Sequence, residues 1–190
     1  MYAFSRKELL GSYLIDFVAM IFGTPMALFP AIAQSFGGVE ILGILYSAPA
    51  TGSLLISLFS GWTKHVKKYG AAISASVLLW GVAIIFFGLS NSLWGALFFL
   101  VLTGVFNTIS SIFRGIMWND SVPNKFRSRL SGIELICCIS GPKLGDTEAA
   151  LVAAAFGVTA SIISGGILCV ISVPVCCYLL PKFWKYKSEA

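Results

Sequence analysis

Long apolar segments separated by short polar ones make up almost the whole chain. Six of these segments are long enough to cross the hydrocarbon core of a bilayer as a helix, which takes about 20 apolar residues. The predicted spans are 9–36, 41–62, 71–89, 93–118, 130–152 and 158–180. The pattern therefore predicts an all-α integral membrane protein with a single six-helix domain over residues 1–190.

Prolines lie inside several of the predicted spans. Pro25 and Pro30 fall in the first span, Pro49 in the second and Pro142 in the fifth. Proline removes a backbone hydrogen bond and its ring clashes with the preceding turn, so we expect a kink in the helix at each of these positions.

The composition excludes several other classes of protein. Hydrophobic residues make up 57% of the chain and charged residues only 11%, and the mean hydropathy is +0.89. About a quarter of the residues of a soluble domain are charged. An ordinary soluble enzyme, a disordered tail and a disulfide scaffold are therefore excluded, and the lipid bilayer is the expected partner. The five cysteines lie in apolar runs without metal-ligand spacing, so we expect neither a metal nor a cofactor.

The positions of the basic residues predict an orientation in the membrane. With six spans, the N-terminus, the second–third loop, the fourth–fifth loop and the C-terminus share one side. These segments hold Arg6, Lys7, Lys64, Lys67, Lys68, Lys125, Arg127, Arg129, Lys182, Lys185 and Lys187. The other two basic residues, Arg114 and Lys143, lie within spans. Since Lys and Arg are enriched in cytoplasmic loops, both termini are predicted to be cytoplasmic, and nucleic-acid binding is not expected from the net charge of +5.

A short motif recurs in the two halves of the chain. Ser47-Ala48-Pro49-Ala50-Thr51-Gly52 and Ser140-Gly141-Pro142-Lys143-Leu144-Gly145 both read S-x-P-x-x-G. Each copy lies in the middle span of a group of three, and the two groups cross the membrane in opposite directions. The motif favours two inverted three-helix repeats, although chance agreement of three common residues also accounts for it.

Three ionisable residues lie inside the predicted spans near their cytoplasmic ends. Asp16 is about 10 Å into the first span, and Arg114 and Glu134 are roughly 6–8 Å from the ends of the fourth and fifth, at 1.5 Å per residue. Charges inside a bilayer are costly and usually functional. We therefore predict that the three residues meet, either as an inner gate or proton-linked switch or as a static ion pair.

One face of the fourth span is polar. It carries Thr103, Asn107, Ser110, Ser111, Arg114 and Trp118 at helical spacing. Such a face lines an aqueous cavity or makes hydrogen bonds to another helix. Lys143 in the fifth span either pairs with Asp146, three residues on, or contacts an anionic substrate and joins Thr103, Asn107, Ser110 and Ser111 in lining the cavity.

These features together resemble half of a transporter of the major facilitator superfamily, and they match its C-terminal half. Ser60-Gly61-Trp62 and the basic loop that runs to Tyr69-Gly70 resemble the superfamily's G-x-x-x-D-R-x-G-R-R loop without its acidic residue. Gly141-Pro142-Lys143-Leu144-Gly145 resembles the G-P-x-x-G core of the antiporter motif. The segments 27–30, 42–50 and 141–146, together with Arg114, look like those of bacterial enterobactin-exporter-type members.

The resemblance implies efflux of a catecholate siderophore or a similar small hydrophobic compound, driven by proton antiport across the bacterial inner membrane. Members of the superfamily have twelve spans, and their substrate site lies between two six-helix halves. We therefore expect a complementary N-terminal six-helix half or a second copy as partner. The polar face of the fourth span is then expected to be exposed toward that half.

Two other classes of function remain possible from the sequence. A six-helix structural or assembly protein without transport has the same pattern of spans. A membrane enzyme needs a nucleophile with its base or a metal pair, and no such set stands at suitable spacing, so we expect no catalytic residue. The only histidine, His65, lies in the basic loop.

Overall fold

The regular secondary structure is helical throughout the described part of the chain. The computed structural model describes residues 7–23, 26–59, 61, 63, 66 and 68–184. Its helices are α1 (Lys7–Phe22), α2 (Phe29–Phe36), α3 (Val39–Leu58), α4 (Tyr69–Leu89), α5 (Leu93–Ser121), α6 (Asn124–Phe156), α7 (Val158–Leu179) and α8 (Pro181–Trp184). Most of the basic loop at 64–67 and the tail beyond residue 184 lie outside the described residues.

The described part of the first predicted span contains two α-helices, α1 and α2. A 3₁₀ turn, Met26–Leu28, comes directly before α2. Pro30 does not bend a continuous helix, because it lies in the first turn of α2, where its missing N–H would have no partner in the helix. Pro25 lies outside the described residues. Pro49 and Pro142 are inside α3 and α6, and each of these helices continues through its proline.

The polar segment 119–129, expected as the longest loop, is mostly helical. Helix α5 extends to Ser121 and α6 begins at Asn124. The Arg127 side chain donates hydrogen bonds to the carbonyl oxygens of Asn119 (3.1 Å) and Val122 (3.3 Å). These bonds supply partners for carbonyls at the end of α5 that have none within the helix, which explains why the turn is so short.

Five helical segments of the described chain are long and apolar enough to cross a membrane. They are Gly11–Phe36, Val39–Leu58, Tyr69–Leu89, Leu93–Ser121 and Val158–Leu179. Helix α6 contains the remaining predicted span and is 33 residues long, but its composition is less apolar than that of the five segments. The reason is charge, because Glu134, Lys143, Asp146 and Glu148 all lie within 130–152.

Helix α4 lies at the centre of the bundle. Its buried side chains Ile73, Val77, Trp80, Ile84 and Phe87 recur every three or four residues, which places them along one face. Helix α4 packs against α5 and α7, while α3 packs against α5, and α1 packs against α6 and α7. Asp16 of α1 and Arg114 of α5, two of the predicted gate residues, are both largely buried in this bundle.

Glycines allow the closest helix crossings. A Cβ atom on Gly104 of α5 would overlap the carbonyl of Pro49 on α3, and one on Gly52 of α3 would overlap the carbonyl of Val101. Gly81 of α4 and Gly166 of α7 face each other in the same way. Small residues at such crossings are typical of membrane helix packing, because lipid gives no hydrophobic drive for association and close contact must supply it.

Candidate functional site

A buried ion pair joins α1 to α5. The Arg114 guanidinium contacts the Asp16 carboxylate through Nη1 and Oδ2, and only 14% and 9% of the two side chains are exposed. A buried charge is stable only with a partner, so each residue accounts for the other in this apolar bundle. Two of the three predicted gate residues are thus in direct contact.

Glu134 of α6 lies beside this pair without belonging to it. The Glu134 carboxylate is close enough to interact electrostatically with both Arg114 and Asp16. Two carboxylates, one from α1 and one from α6, therefore act electrostatically on the Arg114 guanidinium of α5. Such an arrangement can exchange the partner of Arg114 or take up a proton without introducing a new charge into the bundle.

A second contact joins the same two helices, and the sequence analysis did not foresee it. Trp118 Nε1 donates a hydrogen bond to the Tyr13 hydroxyl oxygen at 2.7 Å. Tyr13 precedes Asp16 by three residues, and Trp118 follows Arg114 by four. Helices α1 and α5 are therefore antiparallel here, with the aromatic contact one turn from the ion pair. These spacings were visible in the sequence as matching same-face pairs on two spans.

A cavity of about 230 Å³ adjoins the break between α1 and α2. Its polar lining comes from Thr103 and Asn107 of α5 and from Ser53 of α3. The apolar lining includes Gly23, Met26, Phe29, Pro49, Trp80, Ile84 and Leu100. Two of the residues predicted to line a cavity therefore do so.

The other predicted lining residues lie elsewhere. Ser110 is buried at 3% exposure, Ser111 is exposed, and neither lines this cavity. Thr103 is also buried, and its hydroxyl donates to the carbonyl oxygen of Leu100 at 2.6 Å. The polar face of α5 was expected to be exposed, but most of it turns into the chain's own bundle, because Arg114 pairs with α1.

Lys143 is exposed and near Asp146. Its side chain is 80% exposed, and its Nζ lies 4.0 Å from Asp146 Oδ2, while contact with a substrate stays a prediction. Asp146 has a further role that the sequence did not reveal. Its Oδ1 accepts a hydrogen bond from the backbone N–H of Ala27 at 3.1 Å, in the 3₁₀ turn between α1 and α2.

The break between α1 and α2 is thus supported from two neighbouring helices. Asp146 of α6 binds the Ala27 amide, and the Tyr46 hydroxyl of α3 donates to the carbonyl oxygen of Met26 at 3.3 Å. Freed backbone groups inside a membrane need such partners. Interrupted helices are a common place for ligand sites in membrane proteins, and this one lies beside a mostly apolar cavity with three polar side chains.

Comparison with known proteins gave one match. The family model of the Major Facilitator Superfamily matches residues 13–189, which is nearly the whole chain. No curated protein and no solved structure matched.

Proposed function

This chain belongs to the major facilitator superfamily, whose members are in general transporters, and from that premise we propose that it is one six-helix half of a proton-coupled exporter. In this role α1 and α5 form a gate, and Asp16, Arg114 and Glu134 couple its movement to proton uptake. The cavity beside the α1–α2 break receives part of the transported compound.

The buried Asp16–Arg114 pair carries this proposal. A hydrophobic pair of similar size would hold α1 and α5 together at least as well, since burying two charges costs several kcal/mol per ion. A cost of this kind is understandable if the pair must open during function. Its nearness to a second carboxylate, Glu134, gives Arg114 an alternative partner in the opened state.

The packing supports an inverted-repeat architecture. Helix α3, the middle helix of the first group of three, packs on α5, the first helix of the second group; α6, the middle helix of the second group, packs on α1. The last helices of the two groups, α4 and α7, pack on each other. The repeated S-x-P-x-x-G motif follows the same exchange: Gly52 faces the α5 backbone, and Gly145 faces the α1 backbone at Ile21.

In the proposed assembly α6 also crosses the membrane, in addition to the five spanning segments described above. It combines charged residues with exposed apolar ones, Leu135, Ile136, Ile139, Leu144 and Leu151. A helix of this kind suits a position between lipid and a polar interior. We assign the missing side of the transport path to a complementary N-terminal six-helix half or to a second copy of this chain, in the bacterial inner membrane with both termini cytoplasmic.

The proposed cargo is a catecholate siderophore or a similar small hydrophobic compound, which is moved out of the cell in exchange for protons that enter. To test this, the chain is reconstituted in liposomes that contain a pH-sensitive dye, alone and together with a six-helix N-terminal half. We expect an enterobactin gradient to drive proton movement in the opposite direction in at least one of these preparations. Proton flux equal to that of protein-free liposomes in both would favour the structural or assembly protein.

The orientation has its own test. A membrane-impermeant lysine reagent applied to the outside of sealed cells is expected to leave Lys67, Lys125 and Lys187 unmodified and to modify them in inverted vesicles, because the basic loops are assigned to the cytoplasm. The Asn91→Lys variant is the matched control. Asn91 is exposed in the turn between α4 and α5, so this new lysine should react from outside. The reverse labelling pattern would contradict the orientation.

A further inference from the structure

The Ser110 hydroxyl differs from four other buried hydroxyls of the bundle. Ser74, Ser76, Ser161 and Thr103 each donate to a backbone carbonyl. Among the described residues Ser110 Oγ is instead buried with no hydrogen-bond partner, although Ser110 is only 3% exposed. A buried hydroxyl without a partner costs about 1–3 kcal/mol, so its position calls for a ligand.

A second such atom lies one turn away on the same face of α5. Within the described chain, Arg114 Nε is also buried and without a partner, while Nη1 of the same guanidinium holds Asp16. Residues four apart are neighbours on a helix, and helical side chains lean toward the N-terminus, which directs Arg114 toward Ser110. Two hydrogen-bond donors, O–H and N–H, thus lie together beside the ion pair.

We propose that Ser110 and Arg114 form a binding site for an oxygen acceptor, either a carboxylate or phenolate oxygen of the transported compound or a bound water molecule. The proposal rests on the function proposed above, which it extends to a specific contact. Ser110 does not line the cavity, but the lining residue Asn107 lies three residues before it on the same face of α5, so the cavity ends within one helical turn of the proposed site. An acceptor held there contacts Arg114 on the edge that Asp16 leaves free, so it can influence the gate directly.

The first arm of the test measures binding of 2,3-dihydroxybenzoate to the purified chain in nanodiscs by calorimetry. Ser110→Ala is expected to lower the affinity about 5- to 10-fold, the worth of one hydrogen bond. Ser111→Ala, a matched change at the exposed neighbouring position, should have no effect. Ser110→Cys keeps the shape with a weaker donor and is expected to lie between, which keeps the comparison usable if Ser110→Ala folds poorly.

The second arm detects bound water by hydroxyl-radical footprinting. Phe113 and Met117 are fully buried, so their oxidation requires water held inside the bundle. If water is the acceptor, Phe113 and Met117 should be oxidised in the wild-type chain without ligand. Their oxidation should fall several-fold in Ser110→Ala and stay unchanged in Ser111→Ala.

The outcomes separate this inference from the proposed function. If the wild-type chain does not bind 2,3-dihydroxybenzoate but the footprint depends on Ser110, the site exists with water as its ligand, and the cargo is judged separately by the liposome assay with both halves. If the chain binds the probe while the serine-to-alanine changes at 110 and 111 behave alike in both arms, the inference is overturned and the transporter proposal stands.

Discussion

Replacing Arg114 with alanine is expected to abolish transport and to destabilise the folded chain by about 3–5 kcal/mol. The change leaves the Asp16 carboxylate buried without its partner, and breaking a buried pair from one side carries a cost of this size. Unfolding in detergent and substrate-driven proton flux measure the two effects. Lys143→Ala is the control for loss of a positive charge. Because Lys143 is exposed, this change should leave the stability nearly unchanged.

A neutral double variant separates a coupling role from a structural one. Asp16→Asn combined with Arg114→Gln removes both charges and keeps two side chains that can bond to each other across α1 and α5. We expect this variant to recover most of the stability lost in Arg114→Ala, since no isolated charge remains. Transport should stay absent, because without the Arg114 charge the pair can no longer open by exchanging Asp16 for Glu134 as partner. Normal transport by the double variant would make the pair a static contact.

The helical architecture could be predicted because apolar runs of spanning length are a strong signal. The division of the first span into two helices could not be predicted from hydropathy. The residues on both sides of the break, such as Phe22 and Phe29, are as apolar as those of a continuous helix. Two contacts from other helices hold the backbone beside the break: a carboxylate from α6 and a hydroxyl from α3 bind Ala27 and Met26. A single sequence gives no measure of such long-range contacts.

The contact between Asp16 and Arg114 could be predicted from their depth in the spans. Counting residues from the predicted ends of the spans placed Asp16 and Arg114 at a similar depth, and buried opposite charges at one depth favour a pair. The direction of the polar face of α5 was not predictable in this way. Residue spacing shows which side chains share a face, but only the packing of α1 and α3 on α5 decides whether that face meets this bundle or another.

The same packing makes opposite predictions for two glycines of α5. Gly104→Ala is expected to destabilise the chain by about 1–3 kcal/mol, because its Cβ would meet the Pro49 carbonyl and push α3 away. Gly115→Ala has open space around its Cβ and should stabilise the helix by about 0.5–1 kcal/mol. Chemical unfolding in detergent measures both. Since Gly104 and Pro49 also line the cavity, Gly104→Ala should weaken substrate binding as well. If both variants changed the free energy of unfolding in the same direction, the close crossing of α3 and α5 at Gly104 would be contradicted.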